Sequence, residues 1–315
     1  MTHASDADHL PVLPRETLAA LAVRADGNYI DATFGRGGHA ALILAALNEQ
    51  GRLLVIDRDP AAIQTAMQRF DGDSRVQIEH GVFSDVALMA AQHGMDGHVH
   101  GVLFDFGVSS PQIDDPARGF SFRSDGPLDM RMDPTSGASA ADYLAGVDEK
   151  DLAYALATFG EERHARRIAR AIVAQRDITP LTRTAQLADL IRSTVPSRGV
   201  ERIDPATRSF QAIRIVVNRE LAEIDTALAS TVPLLSGGGR LAAISFHSLE
   251  DRRVKRFIRQ SSAVPEPYRG LPDVPPEYRP RLRPVGKLVR ASDAERDSNP
   301  RARSARLRVA ERLAA

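Results

Sequence analysis

Cysteine and tryptophan are both absent from this 315-residue chain. Without cysteine there can be no disulfides, thiolate nucleophiles, iron–sulfur clusters or Cys-ligated zinc, so any chemistry runs on Asp, Glu, His, Ser, Arg and the backbone. No apolar run approaches the ~18 residues needed to span a bilayer. The polar, acidic start Met1-Thr-His-Ala-Ser-Asp6 also lacks the basic and apolar segments of a secretion signal. The expected compartment is therefore the cytoplasm, with no membrane partner. Lysine is scarce too: Lys150, Lys255 and Lys287 are the only ones, so positive charge is carried by arginine.

Apolar residues at 43% and charged residues at 26% exclude wholesale disorder, a collagen-like chain and a membrane bundle. The length fits one large α/β domain or two domains. A formal charge of zero hides an asymmetry. Residues 1–150 hold 11 basic and 22 acidic side chains, and the remaining 165 residues hold 30 and 19. From Arg252 onward the count is 17 basic to 7 acidic. A basic half of this size can follow phosphates, which points to a nucleic-acid partner; a merely solvated surface is the competing explanation.

Along the first hundred residues, short apolar runs alternate with helical patterns. Strands are predicted at 28–34, 51–57, 76–80 and 99–106, and helices at 39–47, 60–70 and 84–92. Such alternation implies βαβ units and a parallel sheet. The next convincing strand is 240–246, after Gly237-Gly238-Gly239 and far beyond the dozen or so residues that one crossover needs. The intervening chain is helical in pattern at 148–159, 161–175 and 184–193, and one long amphipathic helix is predicted from about Pro205 to Ala229. The expected organisation is α/β, with 1–125 and 205–315 forming the sheet domain and 126–204 an inserted helical domain. A helix follows at 249–259, then a proline-rich stretch over 262–285, then two closing antiparallel strands at 286–290 and 305–311.

Chemistry gathers at the predicted strand ends. Asp31-Ala-Thr-Phe-Gly35-Arg-Gly37-Gly38-His39 sits where a strand turns into a helix, and glycines there allow backbone to approach a ligand closely. Gly35, Gly37 and Ala40 also satisfy a dinucleotide pattern, so a nicotinamide-dependent dehydrogenase is a rival. Asp57, at the end of the second strand, can accept both hydroxyls of an adenosine ribose, while Asp59 reads as a helix cap before Pro60. Asp31 would repel a pyrophosphate but could hold a cationic amino group, and Asp105, at the end of the fourth strand, lies beside the same crevice, which tilts toward a cationic, aminoacyl-bearing nucleoside. S-adenosylmethionine fits that description. Phe83 can stack on adenine or pack in the core. Phe104 to Asp133 contains a long loop of aromatic and polar residues, functional or simply an ordered Ω-loop. In Ser245-Phe246-His247-Ser248-Leu249-Glu250-Asp251, the Ser248/Asp251 spacing suggests a capping box, with His247 left to contact substrate and no metal site expected. Arg301, Arg303, Arg306 and Arg308 suit an edge that meets phosphates, the last two sharing one strand face.

Taken together these residues resemble the ribosomal RNA small subunit methyltransferase H (RsmH or MraW) family. The resemblance spans nearly the whole chain: His9-Leu-Pro-Val-Leu13 with Glu16, Thr33-Phe-Gly-Arg-Gly-Gly-His39, Ile56-Asp-Arg-Asp-Pro60, Gly107-Val-Ser-Ser-Pro-Gln112, Gly119-Phe-Ser-Phe122 and Gly126-Pro-Leu-Asp-Met-Arg-Met-Asp133. Gly160-Glu-Glu-Arg163, Ser209-Phe-Gln-Ala212, Ser245 to Asp251 and Asn299-Pro-Arg-Ala-Arg-Ser304 follow in order. The resemblance implies a class I methyltransferase (Rossmann-like), mostly parallel sheet with an inserted all-helical domain for substrate recognition. It further implies methyl transfer from S-adenosylmethionine to the exocyclic 4-amino group of a cytidine in the decoding region of 16S ribosomal RNA, within the small ribosomal subunit. By matching positions, Gly37, Gly38, His39, Asp57, Phe83, Asp105 and Gln112 would bind the cofactor. Three positions depart from the family pattern: Phe104 and Phe106 replace leucines, and Pro14 stands where an apolar residue is usual.

A sulfonium methyl is already activated, so alignment dominates the chemistry and no metal is needed. The conjugated cytosine amine calls for a proton acceptor. Asp105 is a cofactor ligand or that acceptor, the ligand role being favoured. The target base must leave its stack, so a pocket lined by the Gly107–Asp133 loop and the helical insert is expected. Ser109, Ser110, His247, Arg301 and Arg303 are the candidate substrate contacts. A non-catalytic ribosome-assembly factor would share the basic half without needing the cleft. A homodimer is compatible with the sequence, which does not fix the oligomeric state.

Overall fold

Near-continuous apolar runs such as Leu53-Leu54-Val55-Ile56 are fully buried on both faces, the pattern of interior parallel strands. Each such side chain taken from water contributes about 1.5–3 kcal/mol. The computed structural model describes residues 11–195 and 204–314. His9 and Leu10 of the N-terminal motif, and residues 196–203 of the expected insertion, lie outside them. The elements begin with α1 (Pro14–Leu21), β1 (Asn28–Asp31), α2 (Gly38–Ala46), β2 (Arg52–Asp57), α3 (Pro60–Arg69), β3 (Val76–His80), α4 (Val86–Gln92) and β4 (Val99–Asp105). A helical stretch follows: α5 (Ser110–Asp114), α6 (Ala140–Gly146), α7 (Glu149–Phe159), α8 (Ala165–Arg176), α9 (Thr184–Thr194) and α10 (Ala206–Val217). The chain closes with α11 (Glu220–Leu234), β5 (Leu235–Ser245), α12 (Ser248–Ser261), β6 (Leu282–Pro284), α13 (Asp293–Ser298) and β7 (Arg306–Arg312).

Seven strands form one sheet in the order β3-β2-β1-β4-β5-β7-β6. The first five run parallel, and β7 and β6 are antiparallel to their neighbours. This is the mixed α/β sheet expected from the sequence. Its strand order reverses between β1 and β4, which places the ligand crevice of such a sheet at their carboxyl ends. One closing strand differs from expectation: Leu282–Pro284 pairs with β7, while 286–290 contributes only a bridge from Val289 to Leu307. Pro284 and the left-handed Gly286 interrupt the pairing that the apolar pattern suggested.

The chain divides into two compact units, one made of everything up to Gly107 together with everything from Leu221, the other of Val108–Glu220. This division falls outside the expected 126–204 at both ends, and packing explains why. Phe120 and Phe122 before the expected boundary, and Phe210 and Ile213 after it, join the same apolar cluster as Leu152, Ile168, Leu187 and Ile191. The rings of Phe122 and Phe210 meet edge-on at 4.8 Å.

The single long helix predicted over 205–229 is two helices. Arg219 adopts a left-handed conformation, φ 53°, which no α-helix passes through. Asn218, buried, takes over the local backbone bonding: its Oδ1 accepts from Met132 N at 2.8 Å, and its Nδ2 donates to the carbonyls of Met130 (2.8 Å) and Arg214 (2.9 Å). The apolar face runs on across the break, so periodicity alone could not locate it.

Candidate functional site

The turn between β1 and α2 is built on glycine for a steric reason. Gly37 has φ 72°, and a Cβ there would lie 2.5 Å from the Phe34 ring. Gly38 begins α2 so close to Pro11 that a Cβ would come within 2.9 Å of it. Asp57 fixes the far side of the turn, its Oδ2 accepting from Gly35 N and its Oδ1 from Asp59 N, both at 2.8 Å. Asp59 caps α3 through Ala61 N at 3.0 Å, as its position before Pro60 suggested.

Three carboxylates stand at adjacent strand ends: Asp57 on β2, Asp31 on β1 and Asp105 on β4. Thr33 ties the last two together, donating its backbone N–H to Asp31 Oδ1 (3.2 Å) and accepting from Asp105 N on its hydroxyl (2.6 Å). Burial pushes the Asp105 carboxyl up to about 8, helped by the neighbouring charges of Asp31 and Glu250 and opposed by Arg301. Burial likewise raises Asp31 to about 7 and Asp57 to about 6, against the backbone hydrogen bonds each accepts. His39 is buried with Nε2 3.8 Å from Asp105 Oδ2, and burial lowers it to about 4 despite a hydrogen bond with the Val12 backbone, so it is neutral near pH 7. Asp31 Oδ2, Asp105 Oδ1 and His39 Nε2 are buried without a hydrogen-bond partner among the described residues. Buried polar atoms left in this state cost free energy and are commonest where a ligand completes the set.

Beside Asp105, the end of β5 brings in a second group. Ile244 pairs with Asp105, and Phe246, His247 and Glu250 follow directly. The capping box of α12 is His247 with Glu250, one residue earlier than the predicted Ser248/Asp251 pair: Glu250 Oε2 accepts from Phe246 N (2.7 Å) and His247 N (3.2 Å). His247 Nε2 lies 3.1 Å from Glu250 Oε1. Asp251 is free of the cap because it holds β7, accepting from Arg308 Nε at 2.6 Å and Arg306 Nη1 at 3.1 Å. Arg306 and Arg308 do share a face, but that face packs on α12 and is no open phosphate edge. Arg301 is half-buried with its charge acting on Asp105, whereas Arg303 on the same 3-10 turn is exposed.

Phe83 is half-buried and packs against Phe104 and Phe106, with centroids at 5.9 and 5.6 Å. The two phenylalanines that depart from the family pattern thus complete an aromatic trio. Pro14, the other departure, occupies the first turn of α1, where a missing N–H costs nothing. Gln112, Ser109 and Ser110 belong to the second unit. There buried Gln112 accepts from Ser109 N at 2.9 Å and closes the capping box of α5, which Ser110 begins. Sequence reasoning assigned no role to Thr33, to Glu250 within the His247 motif, or to Glu295, the last accepting from Leu13 N at 2.7 Å and pinning the N-terminal segment beside the glycine turn. Only Glu250 left a local signal, its spacing of three from His247.

The sequence model of the MraW methylase family matches residues 6–313. A ribosomal RNA small subunit methyltransferase H of Xanthomonas oryzae pv. oryzae is 54% identical over 307 residues, 98% of this chain and 89% of the relative. A protein of the same name from Xanthomonas campestris pv. campestris shows 54% identity, covering 98% of this chain and 88% of its own length. Among solved structures, an rRNA methylase from Streptococcus thermophilus aligns with a TM-score of 0.41 at 12% identity, covering 95% of this chain and 93% of the other.

Proposed function

The chain belongs to the MraW methylase family, and from that premise we propose that it methylates the exocyclic 4-amino group of a cytidine in the decoding region of 16S ribosomal RNA, with S-adenosylmethionine as donor. One observation carries the reading of the cleft: Asp31 Oδ2 and Asp105 Oδ1 are buried without a hydrogen-bond partner among the described residues, at the reversal point of the sheet. Such a pair favours a cation and disfavours the pyrophosphate of a nicotinamide dinucleotide, which speaks against a dehydrogenase.

When bound, S-adenosylmethionine supplies a methyl group already activated on a positively charged sulfur. Asp31 and Asp105 hold positive charge, and Asp57, oriented by Gly35 and Asp59, accepts ribose hydroxyls. Gly37 and Gly38 let backbone come close, neutral His39 closes the wall beside Asp105, and Phe83 offers its exposed side to the adenine. Gln112 is assigned to the cofactor by its motif. Asp105 acts as ligand rather than proton acceptor in this reading. His247 after β5, and Arg301 and Arg303 on the 3-10 turn Pro300–Ser304, face the substrate, and Ser109 and Ser110 are assigned to it by their motif. The helical unit recognises the RNA, presented in the cytoplasm within the small ribosomal subunit.

The reading is tested by incubating the chain with methyl-labelled S-adenosylmethionine and small subunits from cells lacking this activity, then digesting the RNA to nucleosides. Label in N4-methylcytidine is expected. Label in another nucleoside, or none while the cofactor binds, overturns it. An Asp105→Asn variant that keeps cofactor affinity but loses turnover would move Asp105 from ligand to acceptor.

A further inference from the structure

The chain between α12 and β6 carries a feature that methyl transfer does not use. Residues 264–269 read Val-Pro-Glu-Pro-Tyr-Arg, and residues 274–279 read Val-Pro-Pro-Glu-Tyr-Arg. Each copy folds as one turn of 3-10 helix, Glu266–Tyr268 and Pro276–Tyr278, entered through an extended proline, Pro265 or Pro275. The repeat brings its two tyrosines face to face: the rings of Tyr268 and Tyr278 stack with centroids 3.9 Å apart and planes 16° from parallel.

Core packing does not account for this stack. None of residues 262–280 is buried, and both tyrosines are half-exposed. The loop leaves and returns at one point, where Arg281 N donates to the Ser261 carbonyl at 2.9 Å. A surface excursion whose ends meet at its base is frequently functional. Arg269 pairs with Glu266, and Arg279 with Asp273 at 3.0 Å, which stiffens each turn and occupies two of the loop's acids. Helix α12 runs into the loop with Lys255 and Arg259 one helical turn apart on one face. Both are exposed, and neither has an acidic partner among the described residues.

We propose that this loop is a stacking platform for unpaired bases of RNA, with Tyr268 and Tyr278 receiving the bases and Lys255 and Arg259 the adjoining phosphates. The proposal rests on RNA being the substrate of the chain. Half-exposed paired rings, with exposed cations on the helix that leads into the loop, match the two requirements of single-strand binding, since every base has a π-face and every link a charge. An acidic peptide would be drawn to the cations but would gain little from the rings.

The full chain is titrated with a short single-stranded RNA of mixed sequence and with an abasic strand of the same length. Three proteins are compared: wild type, Tyr268→Phe with Tyr278→Phe, and Tyr268→Leu with Tyr278→Leu. The Leu pair is expected to weaken binding of the base-bearing RNA by about tenfold or more, and the Phe pair to bind it as wild type does. The abasic strand is expected to bind all three equally. Because the chain has no tryptophan, tyrosine emission is readable. RNA is expected to quench it in wild type, and the Phe pair to lose most of that quenching. Undiminished affinity in the Leu pair, equal quenching in the Phe pair, or preference for an acidic peptide over RNA each overturns the platform. If wild type neither binds RNA nor methylates subunits, the proposed function fails. If it does both and the Leu pair matches it, only the platform fails.

Discussion

Cofactor affinity is expected to rise steeply with pH, because the carboxylates proposed to face a cation, Asp105 and Asp31, are largely protonated in the free protein near neutral pH. Asp105 sits at about 8, Asp31 at about 7 and Asp57 at about 6. Each value lies above the ordinary carboxyl value of 3.8, so the native chain keeps protons that the unfolded chain releases. Folding stability therefore falls as pH rises from about 4 to about 8, and levels beyond. A cationic ligand reverses the preference by favouring the ionised form, so binding releases protons and tightens through the same window. At about pH 6, two units below the Asp105 value, the requirement to ionise that group alone lowers affinity by up to ~100-fold, at about 1.36 kcal/mol per unit. The Asp105 side chain keeps 24% of its surface exposed, which softens the effect, so a tenfold to hundredfold loss between about pH 8.5 and about pH 6 is expected. Calorimetry at about pH 7 in two buffers of different ionisation enthalpy is expected to show about one proton released per cofactor bound. The Asp105→Asn variant loses most of the pH dependence and gains about 1–3 kcal/mol of apo stability at about pH 8. Flat affinity across this range with no buffer-dependent heat would refute the reasoning.

Replacing Asp57 by Ala removes the acceptor shared by Gly35 and Asp59, and is expected to weaken cofactor binding at least about tenfold while costing about 1–3 kcal/mol in thermal denaturation. Gly37→Ala forces a Cβ into the Phe34 ring at positive φ; a destabilisation of about 1–3 kcal/mol with weakened cofactor binding is expected in the same assays. Asn218→Ala leaves the Met132 amide and the Met130 carbonyl without their buried partner; denaturant unfolding is expected to show a loss of about 2–3 kcal/mol, with proteolysis opening near Arg219. Asp251→Ala strands Arg306 and Arg308, and is expected to cost about 3 kcal/mol while leaving cofactor Kd unchanged by calorimetry.

The parallel half of the sheet was legible because its interior strands β2 and β4 are short apolar runs, and buried parallel strands have no polar face to confuse the pattern. The acidic strand ends Asp31, Asp57 and Asp105 were legible for the same reason: a charge ending such a run marks where the strand meets solvent or ligand. Features set by tertiary contact escaped. The break at Asn218–Arg219 depends on partners at Met130 and Met132, some ninety residues earlier, while its own helix keeps an unbroken apolar face. The α12 cap shifted from Ser248 to His247 because Asp251 is committed to two arginines of β7, a pairing no local window contains. The unit boundary moved because Phe120 and Phe122, in a segment without periodicity, pack into the helical core. Arg301 resembled a surface phosphate contact by composition, and only the fold places its charge beside Asp105.

The most direct measurement of what the chain does is a map of methylated nucleotides in 16S ribosomal RNA from cells with and without it. One cytidine in the decoding region is expected to lose its N4-methyl group when the chain is removed, and to regain it with the wild-type chain but not with Asp57→Ala. Identical methylation at every cytidine in both RNAs would contradict the account.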